Sequence, residues 1–302
     1  MDVLTRLVVM IGLLAVGVAL REVEVLDATR VGWLNSVAFY VVLPVLVFDS
    51  THAQPLGEIV SRELLVGVVG MLIAMAAIAW AVHRRIDADG PRAAATVQSY
   101  HTNLGYIGLP VVASALGERA AGIGSVVLGI GALVQIPLTV TLLVRITGSG
   151  TNVREEVTRL LTNPVLIALL VGLTVSQIPF TLAGRPADGV ALIAEAALPV
   201  ALLCVGGSIE LESIDFDRSI VGTVLVLKLL VMPAVAWLVF AGLGADPWTL
   251  RTAVVMFGAP AAVSTFVYVT EMGGDRRLAS VNVFLTTVAS AITLSALIAV
   301  VP

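Results

Sequence analysis

A chain of 302 residues that is 58% hydrophobic and only 13% charged, with a mean hydropathy of +1.03, lies far from soluble domains, where about 25% of residues are charged. A net charge of −4 argues against a nucleic-acid partner, and a single cysteine, Cys204, excludes an internal disulfide. The lipid bilayer is the solvent that fits, and long unbroken apolar runs such as 64–82 and 219–243 select helices over the short alternating segments of a barrel.

In chain order the apolar runs predict an all-α integral membrane protein of ten transmembrane helices. They lie near 4–20, 31–49, 63–83, 93–116, 122–146, 162–179, 189–208, 219–243, 250–272 and 278–301, each close to the roughly 20 residues that a bilayer requires. The first run could be mistaken for a secretory leader; it is read as a span because it completes the repeat described next. The connections are short.

A polar linker, Gly148-Ser149-Gly150-Thr151-Asn152, marks the midpoint. The sequences on its two sides echo each other. Leu43-Pro44-Val45 returns as Leu198-Pro199-Val200, and Arg92-Ala93-Ala94 as Arg251-Thr252-Ala253. Gly117-Glu118-Arg119 returns as Gly274-Asp275-Arg276, and Ser125-Val126 as Ser280-Val281. The offsets run from 155 to 159 residues. The chain is therefore expected to divide into residues 1–150 and 151–302, two five-helix repeats.

With the N-terminus outside, eleven loop arginines fall inside, among them Arg84, Arg85, Arg92, Arg276 and Arg277. Five fall outside: Arg6, Arg62, Arg119, Arg185 and Arg251. The positive-inside rule then places both termini outside. Units with an odd number of spans must face opposite ways, giving a 5+5 inverted repeat. Such repeats are typical of alternating-access carriers with a site near the midplane.

Spans four and nine carry the breaking residues. Asn103-Leu104-Gly105-Tyr106-Ile107-Gly108-Leu109-Pro110 and Gly258-Ala259-Pro260 interrupt helices at matching depth. Irregular backbone is tolerated in a membrane only around a cavity. The N-terminus of a half-helix presents free N–H groups that attract an anion. The candidate substrate-binding residues are Asn103, Gly105, Tyr106, Pro110, Pro260 and Asn282. Asn103 is either a donor to a carboxylate or the cap of the first half-helix. Tyr106 and Pro110 shape the cavity.

Lys228, the only lysine, lies mid-span, where a charge is costly and usually functional. It pairs with a carboxylate, replaces a bound cation, exchanges protons, or holds a structural hydrogen bond. His101 is a candidate proton-coupling group or a packing histidine. Gln135 and Asn282 face the cavity or bond a neighbouring helix. Lys228, His101 and Gln135 form the candidate coupling set.

The only lysine is followed by Leu229, so there is no Walker A loop; there is no G-x-S-x-G elbow, and His52, His83 and His101 do not have metal-ligand spacing. Gly273-Gly274-Asp275 approaches an intramembrane aspartyl-protease motif, but Met272 replaces the first glycine. Neither an enzyme nor a metal protein is expected.

These residues together resemble the auxin efflux carrier family, which contains plant PIN exporters and bacterial malate and malonate carriers. The resemblance rests on Asn35 with Phe39-Tyr40 and Leu43-Pro44; on Asn103 through Pro110; and on Asn163-Pro164 with Gly172-Leu173. It extends through Leu198-Pro199 with Gly206, Lys228 with Pro233, and Ala259-Pro260 onward to Asp275. It implies helices four and nine crossing at their breaks, where a small organic anion binds. It also implies a scaffold of helices 1, 2, 6 and 7, an elevator-type transport domain of helices 3–5 and 8–10, and a homodimer. The long midpoint loop of the plant members is absent, so the chain is similar to prokaryotic ones.

The function expected is secondary transport of small carboxylates, auxin-like acids included, across the cytoplasmic membrane. No cofactor is expected, and the coupling ion is the proton in preference to sodium. The lack of a mid-span arginine favours a monocarboxylate. The alternatives are a sodium-coupled symporter similar to bile-acid carriers and a carboxylate sensor that does not transport.

Overall fold

The structure, a computed structural model, describes residues 3–179, 181–208 and 217–301. The Arg6 side chain, one of the five basic groups assigned to the outer face, lies outside the described residues. Numbered in chain order, with the parts of an interrupted or bent helix as a and b, the helices are α1 (Val3–Glu22), α2 (Ala28–His52), α3 (Leu56–His83), α4a (Asp89–Gln98), α4b (Leu104–Leu116) and α5 (Glu118–Thr147). They continue with α6a (Val153–Leu160), α6b (Pro164–Val175), α7 (Arg185–Gly207), α8 (Arg218–Gly242), α9a (Pro247–Phe257), α9b (Val263–Glu271) and α10 (Arg276–Val300). The described residues form no strand, only one isolated antiparallel bridge.

Six helices are long and apolar enough to cross a membrane singly: α2, α3, α5, α7, α8 and α10. α6a and α6b make a seventh if their 41° bend lies within one span. The halves of α4 and α9 are individually too short, because each is cut by a five-residue interruption, 99–103 and 258–262. The outer surface is apolar, with Ile73, Leu133, Leu170, Leu192, Trp237 and Ile292 exposed. In water such a surface would aggregate; in a bilayer it meets acyl chains.

Proline placement shapes three helices. Pro44, Pro110 and Pro233 each lie just after a π turn, at 38–42, 104–108 and 227–231. In each, the residue before the proline bonds five residues back: Leu43 to Ala38, Leu109 to Leu104 and Met232 to Leu227. A proline cannot donate to the carbonyl four residues earlier and its ring crowds that carbonyl. The wider π turn relieves both problems, and such turns concentrate at functional sites.

Close backbone contact replaces the hydrophobic drive that lipid removes. α1 and α7 meet at Gly17 and Gly206, where a Cβ on Gly206 would stand 2.4 Å from the Leu14 carbonyl oxygen. Gly131 on α5 receives the Leu104 side chain at the start of α4b, with a built Cβ 2.3 Å from Leu104 Cδ1. This contact fixes the depth of the α4 interruption against α5.

Candidate functional site

The interruptions of α4 and α9 cross and satisfy each other. Asn103 N–H donates to the Pro260 carbonyl at 2.9 Å, and Ala262 N–H donates to the His101 carbonyl at 3.0 Å. Thr102 and Ala261 thereby form the antiparallel bridge. The other edge of each bridging residue is held by the helix that follows the broken one. On α5, Gln135 Oε1 accepts from Thr102 N–H at 3.2 Å, and its Nε2 donates to the Thr102 carbonyl at 3.1 Å. On α10, Thr286 Oγ1 accepts from Ala261 N–H at 3.3 Å. Unpaired backbone groups in a membrane interior cost several kcal/mol each, so this mutual pairing is what allows both helices to break.

The break in α4 lies upstream of the glycines that suggested it. Gly105 and Gly108 sit inside the π turn that accommodates Pro110, and the non-helical residues are 99–103. Asn103 caps the second half-helix, not the first: its Oδ1 accepts from Tyr106 N–H at 3.1 Å. Its Nδ2 is buried and has no hydrogen-bond partner among the described residues. One amide thus supplies a cap and a free donor.

That donor belongs to a cavity of about 490 Å³. Asn103, Gly105, Tyr106, His101 and Gln135 line it, with Asn35 and Phe39 from α2, Asn163 from α6b, and Ala262 to Ser264 from α9b. Three helix N-termini therefore open on it. Asn103 and Asn163 cap two of them, Asn163 Oδ1 accepting from Val165 and Leu166 N–H at 2.9 and 3.3 Å. The third starts at Val263, after Ala262. The opening turn of a helix leaves up to four N–H groups without intrahelical acceptors and carries about half a positive charge. Among the described residues, no aspartate, glutamate, lysine or arginine lines the cavity. The backbone dipoles at the three N-termini favour a negative charge in the site.

The remaining candidates are spread out. Pro260 contributes its carbonyl to the crossing. Pro110 lines a different cleft, beside Asp49, Glu118 and Glu195. Asn282 does not line the cavity; its Nδ2 donates to Gln98 Oε1 at 2.9 Å. Lys228, fully buried, donates from Nζ to the Phe257 carbonyl at 3.0 Å and contacts Met232 Sδ at 3.2 Å. It therefore caps the C-terminal end of α9a, where the dipole is negative. His101 Nδ1 lies 2.8 Å from Thr139 Oγ1, a hydroxyl shared with Tyr100.

Gln98, Asn35 and Asn163 were not among the sequence candidates. Gln98 Nε2 donates to Thr265 Oγ1 at 3.1 Å and to the Ala279 carbonyl at 2.9 Å. With Asn282 it ties α4a to α9b and α10. Asn35 accepts the Tyr106 hydroxyl at its carbonyl, at 3.2 Å. An asparagine inside the second apolar run, four residues before Phe39-Tyr40, was the available signal for Asn35.

The chain matches the family described as "Membrane transport protein" over residues 2–156 and 151–298. It belongs to that family. This is the family that the sequence motifs resemble, and the transporter's broken helices and lipid-facing surface agree with it. A Rhizobium meliloti (strain 1021) protein described as "Putative malonate transporter" is 25% identical over 277 residues, covering 88% of this chain and 86% of its own.

The clasp of Gln135 on Thr102 gives a direct test. Gln135→Leu removes the side-chain acceptor of the Thr102 N–H and one of the two donors to the Thr102 carbonyl, which keeps the Leu104 N–H at 2.9 Å. Each buried group left unpaired costs about 1–3 kcal/mol. Thermal unfolding in detergent is expected at a lower midpoint, with transport impaired in proportion.

Proposed function

We propose that the transporter is a secondary carrier of small organic anions with a preference for monocarboxylates. The observation that carries this reading is the convergence of three helix N-termini and the unpartnered Asn103 amide on one cavity without charged side chains. Such a site offers distributed positive potential and N–H donors to one carboxylate, and apolar walls of Phe39, Leu43, Leu128 and Val267 to the rest of the molecule. The relative's description names a malonate transporter, which supports the carboxylate class. A second carboxylate would find no cationic side chain in the lining, which favours monoanions.

In this reading α1, α4 and α9 join the seven other spans to make ten. Residues 1–150 and 151–302 form a 5+5 inverted repeat with both termini outside. The paired crossing supports it: each broken helix is clasped by the fifth helix of its own half. Helices 1, 2, 6 and 7 form a scaffold and helices 3–5 and 8–10 an elevator-type transport domain, in a homodimer. His101, on the cavity wall, is the group placed to couple transport to protons, and Lys228 positions α9.

Counterflow in proteoliposomes tests the reading. A panel of labelled monocarboxylates and malonate is measured at two pH values, with and without sodium. Saturable, sodium-independent exchange of a monocarboxylate at a higher rate than malonate is expected. Faster malonate exchange would overturn the monoanion preference. An absolute sodium requirement would favour a symporter similar to bile-acid carriers. Binding without counterflow would make the protein a sensor.

A further inference from the structure

A second cavity, of about 570 Å³, lies away from the crossing, between α3 and α5 at the start of α4a. Its body is apolar, formed by Ile73, Ala76, Ala77, Leu138, Leu142 and Ile146; its rim holds Trp80 and three arginines, Arg84, Arg92 and Arg145. Among the described residues, no acidic side chain lines it. Arg92 is committed to Asp89 and to the Ile86 carbonyl. Arg84 and Arg145 are exposed and make no ion pair among the described residues. Two uncompensated guanidinium groups thus stand over an apolar trough.

The dimensions fit one class of molecule. Ile73 to Arg84 spans eleven residues of continuous helix apart from its last cap position, or about 16 Å at ~1.5 Å per residue. One leaflet of hydrocarbon is about 15 Å deep, half of ~30 Å. Ile73 is 55% and Trp80 48% exposed on the outer surface, so the trough opens sideways to lipid and not into the protein. Tryptophan at that level marks the membrane interface. Guanidinium groups bind phosphodiesters through paired N–H donors, and basic pockets between membrane helices select acidic head groups.

We propose that this groove is a binding site for an anionic phospholipid, with its phosphate between Arg84 and Arg145 and one acyl chain along Ile73, Ala77, Leu138 and Leu142. The lipid would seat on α3 and α5, the helix that clasps the α4 break through Gln135. The proposal is independent of the substrate assigned to the central cavity.

Native mass spectrometry of the full-length protein, delipidated in detergent and titrated with phosphatidylglycerol or phosphatidylcholine, tests it. Wild type is expected to bind one phosphatidylglycerol at least tenfold more tightly than phosphatidylcholine. The double variant Arg84→Ala/Arg145→Ala is expected to lose that preference. Leu138→Trp, which fills the trough and keeps every arginine, is expected to weaken phosphatidylglycerol binding at least tenfold; it decides the matter if the double variant does not fold. Equal binding of the two lipids by wild type, or wild-type selectivity in a folded variant, overturns the proposal. Displacement of the lipid by millimolar inorganic phosphate would overturn it in favour of a soluble phosphate site.

Discussion

Asn103→Asp is expected to abolish anion transport at neutral pH while leaving the fold intact. The substitution separates the two roles of this side chain. Aspartate retains the oxygen that accepts from Tyr106 N–H at 3.1 Å, so the cap of α4b survives. It replaces the buried, unpartnered Nδ2 with a second acceptor. A hydrogen bond to a charged group contributes about 1.5–3 kcal/mol. Two like charges about 4 Å apart at an effective dielectric of ~20 repel by about 4 kcal/mol. Each tenfold in rate corresponds to about 1.4 kcal/mol, so a loss of at least a hundredfold in transport is expected. The introduced carboxylate would itself occupy the positive ends of the three helices, acting as a tethered competitor. Asn103→Ala is the complement: it loses the cap as well, at about 1 kcal/mol, and lowers both the thermal midpoint and transport. Counterflow measured beside thermal unfolding separates the cases. An aspartate variant that exchanges substrate at the wild-type rate would remove Asn103 from the substrate site.

The sequence made the bilayer, the long helices and the two interrupted segments legible, because composition and Gly/Pro placement act locally. The exact seat of the α4 break was not legible. Gly105, Gly108 and Pro110 look like breakers, yet the two glycines lie in the π turn of α4b and the proline just after it. The chain departs from helix earlier, where Gln135 and Pro260 can take up the freed backbone groups. The π turns themselves left a signal in Leu43-Pro44, Leu109-Pro110 and Met232-Pro233, but Leu198-Pro199 has the same form and lies in an α-helical segment. Gln98 was invisible for a different reason. Its partners Thr265, Ala279 and Asn282 lie 167, 181 and 184 residues away, so only the crossing of the two halves gives it a function. Asn282 was read as polar in apolar surroundings with two destinations open, and its hydrogen bond to Gln98 takes it to the neighbouring helix.

Lys228 supplies the second large effect. Lys228→Met is expected to lower the thermal midpoint and to reduce transport more than tenfold at every pH. Methionine keeps the unbranched shape and removes the donor. The Phe257 carbonyl then ends α9a inside the protein without its partner at 3.0 Å, a cost of about 1–3 kcal/mol. The consequence reaches the cavity because only residues 258–262 separate Phe257 from the N-terminus of α9b. The same Met232 sulfur that contacts Lys228 also accepts the Thr102 hydroxyl at 3.4 Å, so Met232 links the group that holds the end of α9a to the α4 interruption. A positioning role predicts that exchange and pH-driven accumulation fall together. If Lys228 instead carried the coupled proton, the methionine variant would still exchange labelled substrate across the membrane but would no longer accumulate it in response to a pH gradient. Measuring both in the same proteoliposomes decides between a residue that holds the site open and one that drives it.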